Sequence, residues 1–257
     1  MPFDLTGRVA LVTGSSQGLG GAIARCLSEC GADVAINYVS EKSLEKAEKV
    51  AEYVRSQGRK AVIFRADISK EDEVKKLLAD VYEEFGRLDI LSCNAGVNSD
   101  NNIFDLELPD WQRIIDVDLT GAFLCSKYVI DYMKKNNHGR IILTSSVCGE
   151  QGTLFGQVHY GAAKAGQRGF AMTLARTVAP LGITVNCVAP GTHPTETVQQ
   201  ILATSDPHRL DAAKERSPFN KLGTCEDVGY AVCYLASDEA NFVTGATLDV
   251  NGGIYMR

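Results

Sequence analysis

"RVALVTGSSQGLGGAIARCLSECG", residues 8–31, decides the fold. It begins with Val, Ala and Leu in a short run without polar alternation, the pattern of a strand covered on both faces. Its second half has helical spacing and stops at Gly31, a good helix end. Between them lies "TGSSQGLG", residues 13–20. Gly14 can turn sharply where a side chain would clash, and Gly18 and Gly20 let backbone approach a ligand and let the helix pack on the sheet. The helix offers free N–H groups and the positive end of its dipole to an anion. A strand, a glycine turn and a helix in that order make a seat for a pyrophosphate. Ser16 and Leu19 of the same turn join Gly14, Gly18 and Gly20 as candidate contacts. The spacing is T-G-x-x-x-G-x-G rather than G-x-G-x-x-G.

The same alternation continues outward. "ADVAIN", "KAVIFRAD", "LDILSCNAG", "GRIILTSS", "ITVNCVAPG" and "GATLDVNGG" read as strands. Amphipathic segments separate them. "EKSLEKAEKVAEYVRSQG" reads as a charged helix ending at Gly58. "SKEDEVKKLLADVYEEFG" reads as a helix with Ser69 as N-cap and Asp72 reaching back. Residues 109–135 read as one long helix opened by Pro109, and residues 157–180 as a helix stopped near Pro180. "EDVGYAVCYLAS" is the last. Apolar strands alternating with helices predict an α/β fold: a doubly wound, Rossmann-type parallel sheet flanked by helices. No linker, repeat or low-complexity tract divides the 257 residues, so residues 1–257 are expected to form a single domain.

Composition narrows the partners. The net charge is -6, which disfavours nucleic acid or an anionic membrane as a main partner. No run is long enough to span a bilayer and no secretory signal is evident, so a cytoplasmic protein is expected. None of the eight cysteines forms a C-x-x-C pair. Cys26 and Cys30 share a helix face, but metal sites want tighter clusters, so these thiols read as small apolar residues and no metal is expected.

An acid near the end of the second strand would hold a free ribose 2′-hydroxyl and repel a 2′-phosphate. Here "INYVSEKS" places Asn37 and Tyr38 at that point, and Ser40 and Lys42 beyond it. With no acid at Asn37 or Tyr38, and with Ser40 and Lys42 able to reach a 2′-phosphate, NADP is preferred over NAD. A second stretch, "HYGAAKAG" (159–166), puts Tyr160 and Lys164 on one helix face. A cation beside a phenol lowers its pKa from about 10 and readies it for proton transfer.

"TGSSQGLG", "NAG" at 94–96, "SS" at 145–146, "YGAAK" and "PG" at 190–191 stand in the order of one family. The sequence closely resembles the short-chain dehydrogenase/reductases over nearly its whole length, 3-oxoacyl-carrier reductases and glucose-type sugar dehydrogenases among them. The resemblance implies NAD(P)-dependent interconversion of a carbonyl and an alcohol. It implies Tyr160 as general acid/base and Lys164 as the group that tunes it and holds the nicotinamide ribose. It implies Ser146, with Ser145 as the competing choice, as the group that steadies the substrate oxygen. It implies Asp67 and Ile68 at the adenine, and Asn94, Ala95 and Gly96 beside its ribose. It implies Pro190, Gly191 and Thr195 at the nicotinamide, with Val188 behind the ring. Where the family carries Asn in N-x-x-G-x-F, this chain reads "DLTGAF", and Asp118 takes the Asn position. An Asp accepts the same hydrogen bonds but cannot donate when ionised, and it favours a charged Lys164, so altered pH behaviour is expected.

The expected substrate is a small carbonyl or alcohol. NADPH-dependent carbonyl reduction ranks first and sugar or polyol oxidation second. A non-catalytic nucleotide-binding protein is the reading from another class, disfavoured because Ser146, Tyr160 and Lys164 are all present. Loops at 97–104, 147–158 and 192–222 are expected to set substrate choice, the last as a lid. Gln151, Gln157 and His159 are candidate substrate contacts, and His193 and His208 are expected to be exposed. The resemblance also implies a homotetramer, or dimer, formed through residues 109–135, 157–179 and the C-terminal tail.

Overall fold

The computed structural model describes residues 3–153, 156–196, 198 and 208–256, with the side chains of 208–210 outside that description. Seven strands form one sheet: β1 (Val9–Val12), β2 (Asp33–Tyr38), β3 (Ala61–Arg65), β4 (Ile90–Cys93), β5 (Gly139–Thr144), β6 (Ile183–Pro190) and β7 (Thr247–Val250). Every pairing is parallel, in the order β3-β2-β1-β4-β5-β6-β7. The order reverses between β1 and β4, the point beyond whose carboxyl ends open α/β sheets take their ligands. β1, β4, β5 and β6 are buried along their whole lengths, which is why apolar residues dominate their sequences without the polar alternation of a half-exposed strand. Each fully buried Val, Leu or Ile there contributes about 1.5–3 kcal/mol.

Helices cover both faces. α1 (Gly18–Glu29), α2 (Leu44–Ser56) and α3 (Glu71–Phe85) follow the first three strands. Ser69 does not cap α3: its N–H and hydroxyl both donate to Asp67 Oδ1, and the helix begins after Lys70. The segment read as one helix over 109–135 is interrupted. It consists of α4 (Leu108–Ile114), a π-helical turn (Ile115–Thr120) and α5 (Gly121–Met133). No Pro or Gly marks the turn, so the pattern gave no sign of it, yet such turns frequent functional sites. A short α6 (Cys148–Gln151) precedes α7 (Val158–Val178). α8 (His208–Glu215) and α9 (Cys225–Ala236) come last. Thr224 and Asp227 form a reciprocal capping box on α9. Gly229 lets α9 press on α1, since a Cβ there would lie 2.5 Å from Cys26 Sγ. Among the described residues no helix is long and apolar enough to cross a membrane.

Candidate active site

The glycine turn joins β1 to α1 as expected. Gly14 has φ +61, and a Cβ on it would meet Ala95 at 2.7 Å. Asn94 donates to Thr13 O and Gly14 O, and Ala95 N donates to Thr13 Oγ1, so the segment after β4 braces the turn. No side chain caps α1 and no acid lies in its first turn, so the leading N–H groups stay available to an anion. That open cradle, closed to any side chain at Gly20 by Asn94, fits a dinucleotide pyrophosphate.

Asn37 does not face a ribose. Its Oδ1 accepts from Gly14 N at 3.0 Å and its Nδ2 donates to Ala66 O at 3.0 Å. Ser15 N also donates to Asn37 O, and Asn37 N donates to Ser15 Oγ. This residue pins the glycine turn to the second strand. Tyr38 is buried, and Ser40 Oγ is hydrogen-bonded to Ser43 Oγ. Asp67 stands at the end of β3 with one carboxylate oxygen taken by Ser69 and the other 3.7 Å from Lys70. Ile68 turns its side chain into the core against Gly121, leaving only its backbone beside Asp67. Pro190 ends β6, and Gly191 packs on Asn251. Thr195 sits over Gly18, its methyl 3.5 Å from where a Cβ would be. Val188 is wholly buried.

Tyr160, Lys164 and Gln167 lie on α7, and Ser146 lies just beyond β5. The serine ambiguity resolves by direction. Ser145 Oγ donates to Lys164 O at 2.8 Å, whereas the Ser146 hydroxyl accepts from Cys148 N and lies on the side of Tyr160. Lys164 Nζ is 3.1 Å from Asp118 Oδ2, donates to Thr144 O at 2.9 Å, and lies 5.5 Å from the Tyr160 ring centroid. Asp118 Oδ1 accepts from Val97 N at 2.7 Å. The π-helical turn presents Asp118 to α7, and Gln167 Nε2 donates to its carbonyl at 2.6 Å. Gly96 leaves room for this pair, since a Cβ there would lie 2.9 Å from Asp118 Oδ2.

The electrostatics depart from expectation. Burial is the largest influence on Tyr160 and pushes its pKa above 10.0; Lys164 pulls it down, and Asp118 pushes it up again. The expected lowering is present as a contribution but does not prevail. Burial also acts to lower Lys164, but Asp118 and then Tyr160 outweigh it, and its pKa is raised. Lys164 is therefore held as an ammonium in a buried setting.

The loop candidates fare differently. Gln157 Nε2 donates to Asp100 Oδ1 at 3.3 Å, and the fully buried His159 meets Ser99 Oγ at 2.7 Å, so both are spent on fastening the loop after β4. Gln151 is exposed. His193 is buried, not exposed, with Nδ1 3.2 Å from Gly191 O, and burial lowers its pKa. His208 opens α8, its side chain outside the described residues, as is much of the expected lid. Sequence reading missed Asn37 as a pin and Gln167 as a partner of Asp118. Both are tertiary contacts without a local signal.

A short-chain alcohol dehydrogenase family model, described as Enoyl-(Acyl carrier protein) reductase, matches residues 14–255. The chain is 41% identical over 254 residues to the 3-oxoacyl-(acyl-carrier-protein) reductase FabG of Escherichia coli K12, covering 99% of this chain and 100% of that one. It is 40% identical over 247 residues to the enzyme of the same description from Staphylococcus epidermidis, covering 96% and 98%. A solved short-chain type dehydrogenase/reductase from Mycobacterium marinum superimposes with a TM-score of 0.92 at 32% identity, covering 99% and 98%. The chain belongs to the short-chain dehydrogenase/reductase family.

Proposed function

We propose that this chain reduces a ketone to an alcohol with NADPH, its substrate a 3-oxoacyl thioester or a close analogue. One observation carries the reading: Ser146, just past the carboxyl edge of β5, lies beside Tyr160 on α7, backed by a buried Lys164 ammonium that Asp118 holds charged. Two neighbouring hydroxyl groups suit a carbonyl oxygen. The relatives named above, described as 3-oxoacyl reductases, support the substrate class. The lack of an acid at the end of β2, where Asn37 and Tyr38 stand, supports the phosphorylated cofactor.

Reduced nicotinamide, when bound, supplies the hydride to the carbonyl carbon. The rest falls to the chain. The glycine turn and the first N–H groups of α1 hold the pyrophosphate. Asp67, Asn94, Ala95 and Gly96 border the adenosine, and Pro190, Gly191 and Thr195 border the nicotinamide. Ser146 donates a hydrogen bond to the substrate oxygen, and Tyr160 gives its proton to that oxygen as the C–H bond forms. The O–H bond of Tyr160 breaks and the alcohol O–H forms. Lys164 steadies the transient phenolate, and the high pKa of Tyr160 keeps its proton in place until the alkoxide develops.

The whole chain acts as one domain in this reading. Exposed apolar residues Ile103, Phe104, Leu108 and Phe123, on or beside α4 and α5, and Met172 on α7 support a homo-oligomer, tetramer or dimer. The test is nicotinamide absorbance with a 3-oxoacyl thioester, a panel of sugars and polyols, and a 2-enoyl thioester. Turnover of the 3-oxo compound with NADPH is expected. Turnover of a sugar alone would favour the polyol reading, and of the enoyl compound alone the chemistry named by the family model.

A further inference from the structure

Resting on the NADPH reading, this inference concerns which group reads the 2′-phosphate. The glycine turn carries no cation. At the end of β2, Asn37 is spent on pinning the turn, Tyr38 is buried and Ser40 is engaged with Ser43, while Lys42 beyond it is exposed and does not line the cleft beside the turn. A cleft of about 540 Å³ opens beside the turn, lined by Ser16, Gln17 and Gly18 on one side and Thr195 and Glu196 on the other. Three cations also line it: Arg25, Lys46 and Lys49. Two are committed elsewhere. Arg25 pairs with Glu226 at 3.3 Å, and Lys49 with Glu45 at 2.7 Å along its own helix.

Lys46 differs. It sits in the first turn of α2, reaches across to the glycine turn, and donates to Gln17 Oε1 at 2.6 Å. Its charge is met by the Glu196 carboxylate from the segment after β6. Gln17 is the N-cap residue of α1, so this ammonium hangs over the cradle that would hold the phosphates. A carboxylate on the opposite wall occupies it as an anion would. We infer that Lys46 is the residue that recognises the cofactor's 2′-phosphate, and that Glu196 competes for the same ammonium. A lysine serves here as a point charge for phosphate, without the planar fork of an arginine. Lys46 is exposed, so the contribution is modest, but it acts only on nucleotides that carry the extra phosphate.

The experiment is calorimetric binding of 2′,5′-ADP and 5′-ADP to the intact protein, without turnover. Wild type is expected to bind 2′,5′-ADP more tightly. Lys46→Ala is expected to weaken 2′,5′-ADP by about tenfold and leave 5′-ADP unchanged. Glu196→Gln is expected to tighten 2′,5′-ADP, and Lys42→Ala to leave the preference intact. If Lys46→Ala keeps the wild-type preference, or if Lys42→Ala abolishes it, the assignment to Lys46 is wrong while the NADPH reading stands. If Glu196→Gln leaves 2′,5′-ADP binding unchanged or weaker, the competition is wrong. If wild type does not discriminate between the two nucleotides, the NADPH reading itself fails.

Discussion

At the amino ends of the strands, Arg140 is 1% exposed and donates to Gly139 O at 3.0 Å, to Ser237 O at 3.3 Å, and to Asp238 and Asn241. Beside it the buried Asp89 takes Val9 N at 2.9 Å and a two-pronged contact from Arg87 at 2.7 and 2.8 Å. At the carboxyl ends, Lys164 is 3% exposed and faces Asp118, but there the arrangement stays open. Asp118 Oδ2 has Lys164 as its charged neighbour, and Lys164 in turn faces a phenol that can change its own charge. A buried charge bonded on all sides contributes order. A buried charge whose neighbours titrate contributes a response to protons.

The comparison breaks most sharply at Tyr160. Tyr160→Phe is expected to cut ketone reduction by about 10²–10⁴-fold while nucleotide affinity holds. Near-normal turnover would remove the phenol from the chemistry. At the opposite end, Asp89→Ala strands the buried N–H of Val9 while leaving the half-exposed Arg87 to solvent, and should cost about 1–3 kcal/mol in urea unfolding. Activity per folded molecule should not change. A loss of activity at unchanged stability would make the amino end functional as well.

Asp118→Asn sharpens the contrast through pH. The carboxylate raises both Lys164 and Tyr160. Without it, Lys164 loses its charge and Tyr160 its proton at lower pH than in wild type. Reduction needs both protons, so the alkaline limb of the pH–rate profile should move to lower pH. An unmoved limb would confine Asp118 to a structural role. The smallest effect is expected at His138, in the amino-end cluster. Burial first, then Arg140 and Arg8, lower it from 6.5 to about 4. A depressed folded-state pKa stabilises the fold above 6.5, and that contribution drains away as pH falls toward 4. His138→Gln should therefore flatten the decline of Tm between those limits, and an equally steep decline would contradict it.

The fold was legible because parallel strands buried on both faces leave runs such as "VALV" and "IIL", and because Gly31, Gly58 and Gly86 end helices audibly in the sequence. The glycine turn and the Tyr160–Lys164 spacing were legible because they are local. What stayed hidden was tertiary. The π-helical turn at Ile115–Thr120 follows from packing against α7, not from any breaker residue. The part of Asn37 in holding the glycine turn was hidden because its two inward hydrogen bonds reach residues 23 and 29 positions away. The upward shift of Tyr160 depends on burial, which spacing on a helix does not reveal. His193 looked like a loop histidine until Gly191 and Gly223 closed around it.

The titration of the Lys164 amine probes the buried carboxylate–ammonium–phenol arrangement most directly. Followed by NMR of the labelled side chain, it should lie above 10.5 in wild type and fall in Asp118→Asn, where burial acts unopposed by the carboxylate. Identical titration in the two proteins would mean that Asp118 does not hold the ammonium charged, and the account of the site's proton chemistry would be wrong.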